Sequence, residues 1–391
     1  MSLDPIMPVF VMTVTILALL GITMKAFKQP LLVGYVLAGL LIGPFGLEFV
    51  TDTQTMTRIG GIGVILLLFF IGIAVSPSDL RSNWKVAIGG TSLQIICSTF
   101  AVIGIGELFD WPIARSVLLG FVISMSSTAI VMKLLEDGNQ LETPLGQDTF
   151  SITLVQDLAI VPMILILTAM AGEKISGGTL TLQLLAGAAF VLVVSWLSKP
   201  RTIPLPFGHL IEKDHELQVL LTVAFCFGVG LISALMGLSS AFGAFVAGIS
   251  LRVFKEVQWV ENSLSGFRII LVALFFASVG MLLDISFLQK HWIEVFSLSL
   301  IVIVANTMIV TIILLLFRRP WRHSLQAAAM LSQIGEFSFV LAAIGISSGV
   351  ISDFAYKMTI SIIVITLAAC PVWVAAVRWV CRIKNETPSE A

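Results

Sequence analysis

The sequence predicts an all-α polytopic membrane protein, with thirteen transmembrane helices laid out as an inverted-topology repeat. Three observations predict it. First, 58% of the 391 residues are hydrophobic and only 12% charged, with a mean hydropathy of +1.04. Soluble domains run at about 45–50% apolar and about 25% charged. So few charges cannot cover a water-soluble fold of this size, and the excess apolar surface must face lipid. Second, the apolar residues fall into runs close to the roughly 20 residues that a helix needs to cross a bilayer. Third, short motifs recur after an odd number of spans at a nearly constant spacing.

Cutting at charge clusters and Gly/Pro breaks places the spans at 7–25, 31–47, 60–76, 86–106, 114–133, 149–171, 180–198, 216–232, 237–252, 268–283, 292–317, 324–348 and 358–382. The apolar start, Met7 to Met24, lacks the basic stretch of a cleaved leader and reads as a retained first span. The basic residues orient the stack. With the odd-numbered loops and the C-terminus in the cytoplasm, seventeen of the 22 Lys and Arg lie there, leaving Arg58, Arg115, Lys174, Lys290 and Lys357 opposite. The N-terminus is therefore expected outside and the C-terminus inside. Trp84, Trp111, Trp196, Trp259, Trp292, Trp321, Trp373 and Trp379 fall at or near span ends, where interfacial anchors belong.

The repeat rests on three pairs of segments. Gly34-Tyr-Val-Leu-Ala-Gly39 in span 2 matches Gly243-Ala-Phe-Val-Ala-Gly248 in span 9, and Leu68-Phe69-Phe70 matches Leu274-Phe275-Phe276. Ser126-Ser127-Thr128 in span 5 answers Ser332-Gln333-Ile334-Gly335-Glu336 in span 12. Each pair lies seven helices apart, and an odd separation turns the second copy upside down in the membrane. The halves are residues 1–175 and 216–391, joined by span 7 and a charged loop over 176–215. Inverted repeats build alternating-access transporters whose interrupted helices meet near the midplane. The polar clusters at the centres of spans 5 and 12 mark those two as the interrupted helices.

Two acidic residues sit at membrane depth, Asp157 in span 6 and Glu336 in span 12. Acids there are functional candidates by default. Gln156 adjoins Asp157, Thr153 precedes it by one turn and Pro162 follows in the same helix. A carboxylate in that setting binds a proton or a bare cation, but not both at once. Glu336 is either a second carrier or a support for the freed N–H groups of an unwound segment. Asn306 in span 11 bonds either to Asp157 or across helices. The four histidines fall in loops, and His209 and His215 are the candidates there for sensing cytoplasmic pH. The four cysteines show no CxxC spacing and read as buried, inert thiols. A net charge of −1 argues against nucleic acid as a partner. No phosphate-binding loop, metal-ligand cluster or nucleophile–base arrangement points to an enzyme or to a bound cofactor.

Five segments carry a resemblance. They are Pro30 to Pro44, Ser126-Ser-Thr-Ala129, Gln156-Asp-Leu-Ala-Ile-Val-Pro162, Leu274 to Met281 and Leu331-Ser-Gln-Ile-Gly-Glu-Phe-Ser-Phe-Val340. Together they resemble the second monovalent cation:proton antiporter family, above all the membrane domain of Kef-type potassium:proton antiporters. The resemblance implies a sodium/proton-antiporter-like fold in which broken spans 5 and 12 cross. It implies a homodimer in membrane lipid, with spans 1–3 and 8–10 as dimerisation domain and spans 4–6 and 11–13 as ion-binding core. The family's ion-binding aspartate falls on Asp157, with Gln156, Thr128, Ser127 and Ser126 completing the site for K⁺ or Na⁺ and H⁺. Gln333 would support the crossing. The Gln156-Asp157 pair stands where electrogenic sodium-transporting relatives carry two acids, which points toward one-for-one exchange of potassium for protons, with a sodium/proton antiporter or a gated potassium channel or uniporter of the same fold as the alternatives; the resemblance implies a bacterial inner membrane. Two departures stand out. Asn306 takes the place where many relatives have a Lys or Arg, and this sequence ends at Ala391 where Kef-type chains continue into a cytosolic nucleotide-binding regulatory domain, so it reads either as a piece of a longer chain or as an unregulated or separately regulated relative.

Overall fold

A computed structural model describes residues 6–27, 31–50, 53–74, 83–170, 214–236, 240–251 and 258–381. Span 7 lies outside these residues, as do Asp79 and His209. Among the described residues the structure is helical with no strands. The first half supplies α1 (Ile6–Ala26), α2 (Leu31–Ile42), α3 (Thr53–Ala74), α4 (Trp84–Leu108), α5 (Ile113–Ser124), α6 (Thr128–Asp137) and α7 (Pro144–Met170). The second supplies α8 (His215–Leu235), α9 (Ser240–Leu251), α10 (Gln258–Met281), the short α11 (Ile285–Lys290), α12 (Trp292–Leu316), α13 (Trp321–Met330), α14 (Phe337–Ser347) and α15 (Asp353–Val380).

Twelve of the thirteen expected spans therefore coincide with described helices. Among the described residues, five segments are long and apolar enough to cross a membrane: Trp84–Leu108, Ile113–Asp137, Glu216–Leu235, Trp292–Leu316 and Asp353–Val380. Spans 5 and 12 are each two helices in series, α5 with α6 and α13 with α14, as their polar centres predict. Trp84, Trp292, Trp321 and Trp379 stand exposed at or near helix ends, as interfacial anchors do.

The helices pack as two groups. In one, α2 and α3 lie against α10, α3 against α9, and α1 and α8 flank α2 and α9. In the other, α4, α5 and α7 pack together, α12, α13 and α15 pack together, and α4 meets α12 while α14 meets α5. The groups touch where α15 meets α2 and α3 meets α6.

Glycine contacts in the first group reveal the repeat directly. A Cβ on Gly39 would run into the carbonyl oxygen of Ala277, and one on Gly248 into that of Phe69. A Cβ on Gly280 would meet Val36 O, and one on Gly72 would meet Phe245 O. Every partner in the α3–α9 crossing is the counterpart of one in the α2–α10 crossing, shifted by about 208 positions. Only glycine permits backbones this close, the usual device of tight helix packing in membranes. Gly72 and Gly280 also set the register of the third and tenth spans, so the Leu-Phe-Phe match in the sequence lies two residues off it.

Candidate functional site

The site forms where the two interrupted spans meet. α5 stops at Ser124, and Met125 and Ser127 are extended, with ψ of 122° and 115°. α6 restarts with Ser127 as its N-cap, the hydroxyl accepting from Ile130 N at 3.3 Å. Across from it the chain leaves helix between Leu331 and Glu336 before α14 begins. The breaks touch directly: Gly335 N–H donates to Met125 O at 2.7 Å. A Cβ on Gly335 would lie 2.6 Å from the carbonyl carbon of Ser126, so glycine is what lets the two backbones meet.

Two broken helices expose backbone groups that a low-dielectric interior penalises unless they are paired. Neutral side chains pair them here. Gln333 accepts from Ser127 N at 2.9 Å and donates to Ser127 O at 3.3 Å. Gln156 accepts from Ser126 N at 3.1 Å and donates to Ser124 O at 3.1 Å. Asn306 donates to Ile123 O at 2.9 Å and to Ser332 O at 3.2 Å, one carbonyl beside each break. The hydroxyl of Ser126 donates to Leu331 O at 2.7 Å, and that of Thr366 accepts from Ile334 N at 3.2 Å. Asn306 thus bonds across helices rather than to Asp157.

Two carboxylates complete the cluster. The Thr128 hydroxyl, in the first turn of α6, donates to Asp157 Oδ2 at 2.9 Å. Asp157 is 4% exposed, and its Oδ1 is buried with no hydrogen-bond partner. Glu336 Oε2 is likewise buried and unpartnered, as is Asn306 Oδ1. Glu336 occupies the cap position of α14 without a side-chain capping bond. Each of the three oxygens is tied through its own residue to positions 123–128 or 332–336. Buried acceptors without donors are costly, and a proton or cation relieves them. Thr153 is buried and bonds back to Phe150 O at 2.9 Å in its own helix.

Sequence reasoning missed two features. Gln94 in α4 is buried, and its Oε1 accepts from Gln156 Nε2 at 3.0 Å. The signal was available, because a lone amide in a 25-residue apolar helix must find a partner. The second is a charged knot away from the breaks. Asp148 in α7 is fully buried; Arg319 Nη2 donates to its Oδ1 at 2.7 Å while Arg319 Nε lies 2.7 Å from Oδ2, too bent for a hydrogen bond. His323 Nε2 lies 3.0 Å from Asp148 Oδ2. His323 was expected in a loop; instead it is buried in the first turn of α13, which Pro320 opens. His215 is likewise the first residue of α8 rather than a loop residue.

A family model described as "Sodium/hydrogen exchanger, transmembrane" matches residues 11–379. The chain belongs to the sodium/hydrogen exchanger family. Among relatives of this exchanger-family chain, the iron transporter MagA of Paramagnetospirillum magneticum is 34% identical over 93% of this chain and 84% of its own. K(+) efflux antiporter 5 of Arabidopsis thaliana is 32% identical over 92% of this chain. The glutathione-regulated potassium-efflux system protein KefC of Escherichia fergusonii is 29% identical over 92%. The exchanger-family chain spans only 64% and 58% of those last two proteins. Its fold matches the sodium proton antiporter MjNhaP1 of Methanocaldococcus jannaschii, with a TM-score of 0.71, 17% identity, and 97% and 98% of the two chains covered. Family and relatives are transporters, not enzymes, and they carry no cofactor signature.

Proposed function

We propose that this protein is a secondary transporter that exchanges K⁺ for H⁺, one for one and without net charge movement, with both ions competing for Asp157. The observation that carries the reading is Asp157 itself, one carboxylate oxygen held by Thr128 and the other buried and unpartnered beside two broken helices. Every available ligand there is an oxygen, which suits a hard alkali cation. Potassium is favoured over sodium by the neutral Gln156 beside Asp157 and by the relatives named for K⁺ efflux.

In this reading α4–α7 and α12–α15 form a core that carries the ion, and α1–α3 with α8–α10 form a dimerisation scaffold. The sparse contact between the two groups suits an elevator-like displacement of the core. Gln333, Gln156 and Asn306 pair the backbone of the two breaks without adding fixed charge beside the carboxylates. The protein would work as a homodimer in a bacterial inner membrane with its N-terminus outside, alongside a regulatory partner.

The test is proton flux in proteoliposomes under an imposed pH gradient, with K⁺ or Na⁺ added in turn. Wild-type protein is expected to move protons on K⁺ addition at any clamped potential, and folded Asp157→Asn protein to move none. Normal exchange by Asp157→Asn would overturn the assignment. The unpartnered Oε2 of Glu336 favours one second reading, a two-carboxylate carrier. That version predicts a transport current that Glu336→Gln abolishes.

A further inference from the structure

Gln156 does not face an ion with its amide. Its oxygen takes the Ser126 N–H, and its nitrogen is shared between Ser124 O and Gln94 Oε1. The residue therefore bridges the break in span 5, and its next neighbour in the chain is Asp157. Where Gln156 sits determines where Asp157 sits, and Thr128 anchors the same carboxylate from beyond the same break.

Gln94 comes from a different helix and touches none of the backbone that Gln156 spans in the hydrogen bonds above. It is 1% exposed, and the bond to Gln156 is the one hydrogen bond found for its side chain among the described residues. Its Nε2 is buried with no partner, an arrangement that costs free energy. A residue kept at such a position for packing alone would be better as Leu or Met, which carry no polar atoms to strand. α4 is otherwise held against α7 by Thr91, whose hydroxyl donates to Ile152 O at 3.1 Å one turn before Gln156.

We propose that Gln94 is a positioning residue of the cation site, acting through Gln156 to fix where the Asp157 carboxylate lies against Thr128. This rests on the exchange reading above. Removing the acceptor at position 94 frees Gln156 to turn, and the cation then loses affinity while the proton-loaded half of the cycle still runs.

The test is steady-state exchange in proteoliposomes, separating the half-saturating cation concentration from the turnover at saturation. Gln94→Met keeps the length and removes the acceptor. It is expected to raise the half-saturating cation concentration about tenfold and to change saturated turnover by less than about twofold, as loss of ground-state binding does. Gln94→Glu retains an acceptor for Gln156 and is expected to restore wild-type half-saturation. Because Gln94 acts through Gln156, the double variant Gln94→Met, Gln156→Met should be no worse than Gln156→Met alone.

Half-saturation within twofold of wild type in Gln94→Met would overturn the proposal, as would additive losses in the double variant. If Gln94→Met fails to fold, Gln94→Glu decides: a tenfold rise in its half-saturating concentration overturns the role. A wild-type protein that exchanges no cation for protons would defeat the function proposed above, whereas working wild-type exchange with an indifferent Gln94→Met defeats only the positioning role.

Discussion

Arg319 and Asp148 form the charge pair with the largest stake in stability among the described residues. Asp148 is wholly buried, and Arg319 reaches it from the end of α12 while His323 reaches it from α13. Deleting one member of a buried pair leaves an uncompensated charge, at a typical cost of about 3–5 kcal/mol. Arg319→Met is therefore expected to lower the unfolding free energy in detergent by about that amount. Arg319→Met combined with Asp148→Leu should recover much of it, because no charge is then stranded. Equal stability of the single and double variants would show that the pair is too well hydrated to matter. None of this was legible in the sequence: Arg319 counts there only among the positive charges that orient the stack, and its partner Asp148 lies 171 residues away.

At the scale of the helix, the two breaks are the decisive elements, and they were legible. Serine, glycine and glutamine in the middle of otherwise apolar spans compete for backbone hydrogen bonds, and mid-span clusters of them mark where a helix gives way. What that pattern could not reveal is who repairs each break. Gln156 reads as a ligand beside an acid because its real partners, Ser124, Ser126 and Gln94, lie 32, 30 and 62 residues away. Asn306 likewise turns out to serve two carbonyls, one beside each break, rather than the carboxylate. Gly335 allows a sharp element-level test. Its Cβ would lie 2.7 Å from both Ser126 O and Ser127 N, so Gly335→Ala must pry the crossing apart and break the Gly335–Met125 hydrogen bond. Exchange is expected to be lost in a protein that still inserts and folds; full activity in Gly335→Ala would mean that the crossing is looser than its geometry.

Over the whole molecule, the inverted repeat was legible as a spacing, though not to the residue. Two of the sequence matches fall near the true register and the Leu-Phe-Phe match falls two residues off it, because apolar runs of leucine and phenylalanine align almost anywhere. Steric contact is more exacting than similarity. Gly39 and Gly248 face equivalent carbonyls, and so do Gly72 and Gly280. Overpacking of this kind costs about 1–3 kcal/mol per site. Gly39→Ala and Gly248→Ala are accordingly expected to lower thermal stability by similar amounts, read as the shift in melting temperature of the purified protein.

The paired glycine crossings also bear on how such a chain could have arisen and drifted. After a segment is doubled, its copies are free to diverge wherever the two environments differ, and here the surrounding residues have done so: Ala277 answers Phe69, and Val36 answers Phe245. At the four glycines the copies remain locked, because each touches main chain, which no neighbouring side-chain change can move aside. Each half thus serves as a homologue of the other within one polypeptide. A deep mutational scan of residues 31–72 should trace a tolerance profile that recurs, minimum for minimum, some 208 positions downstream.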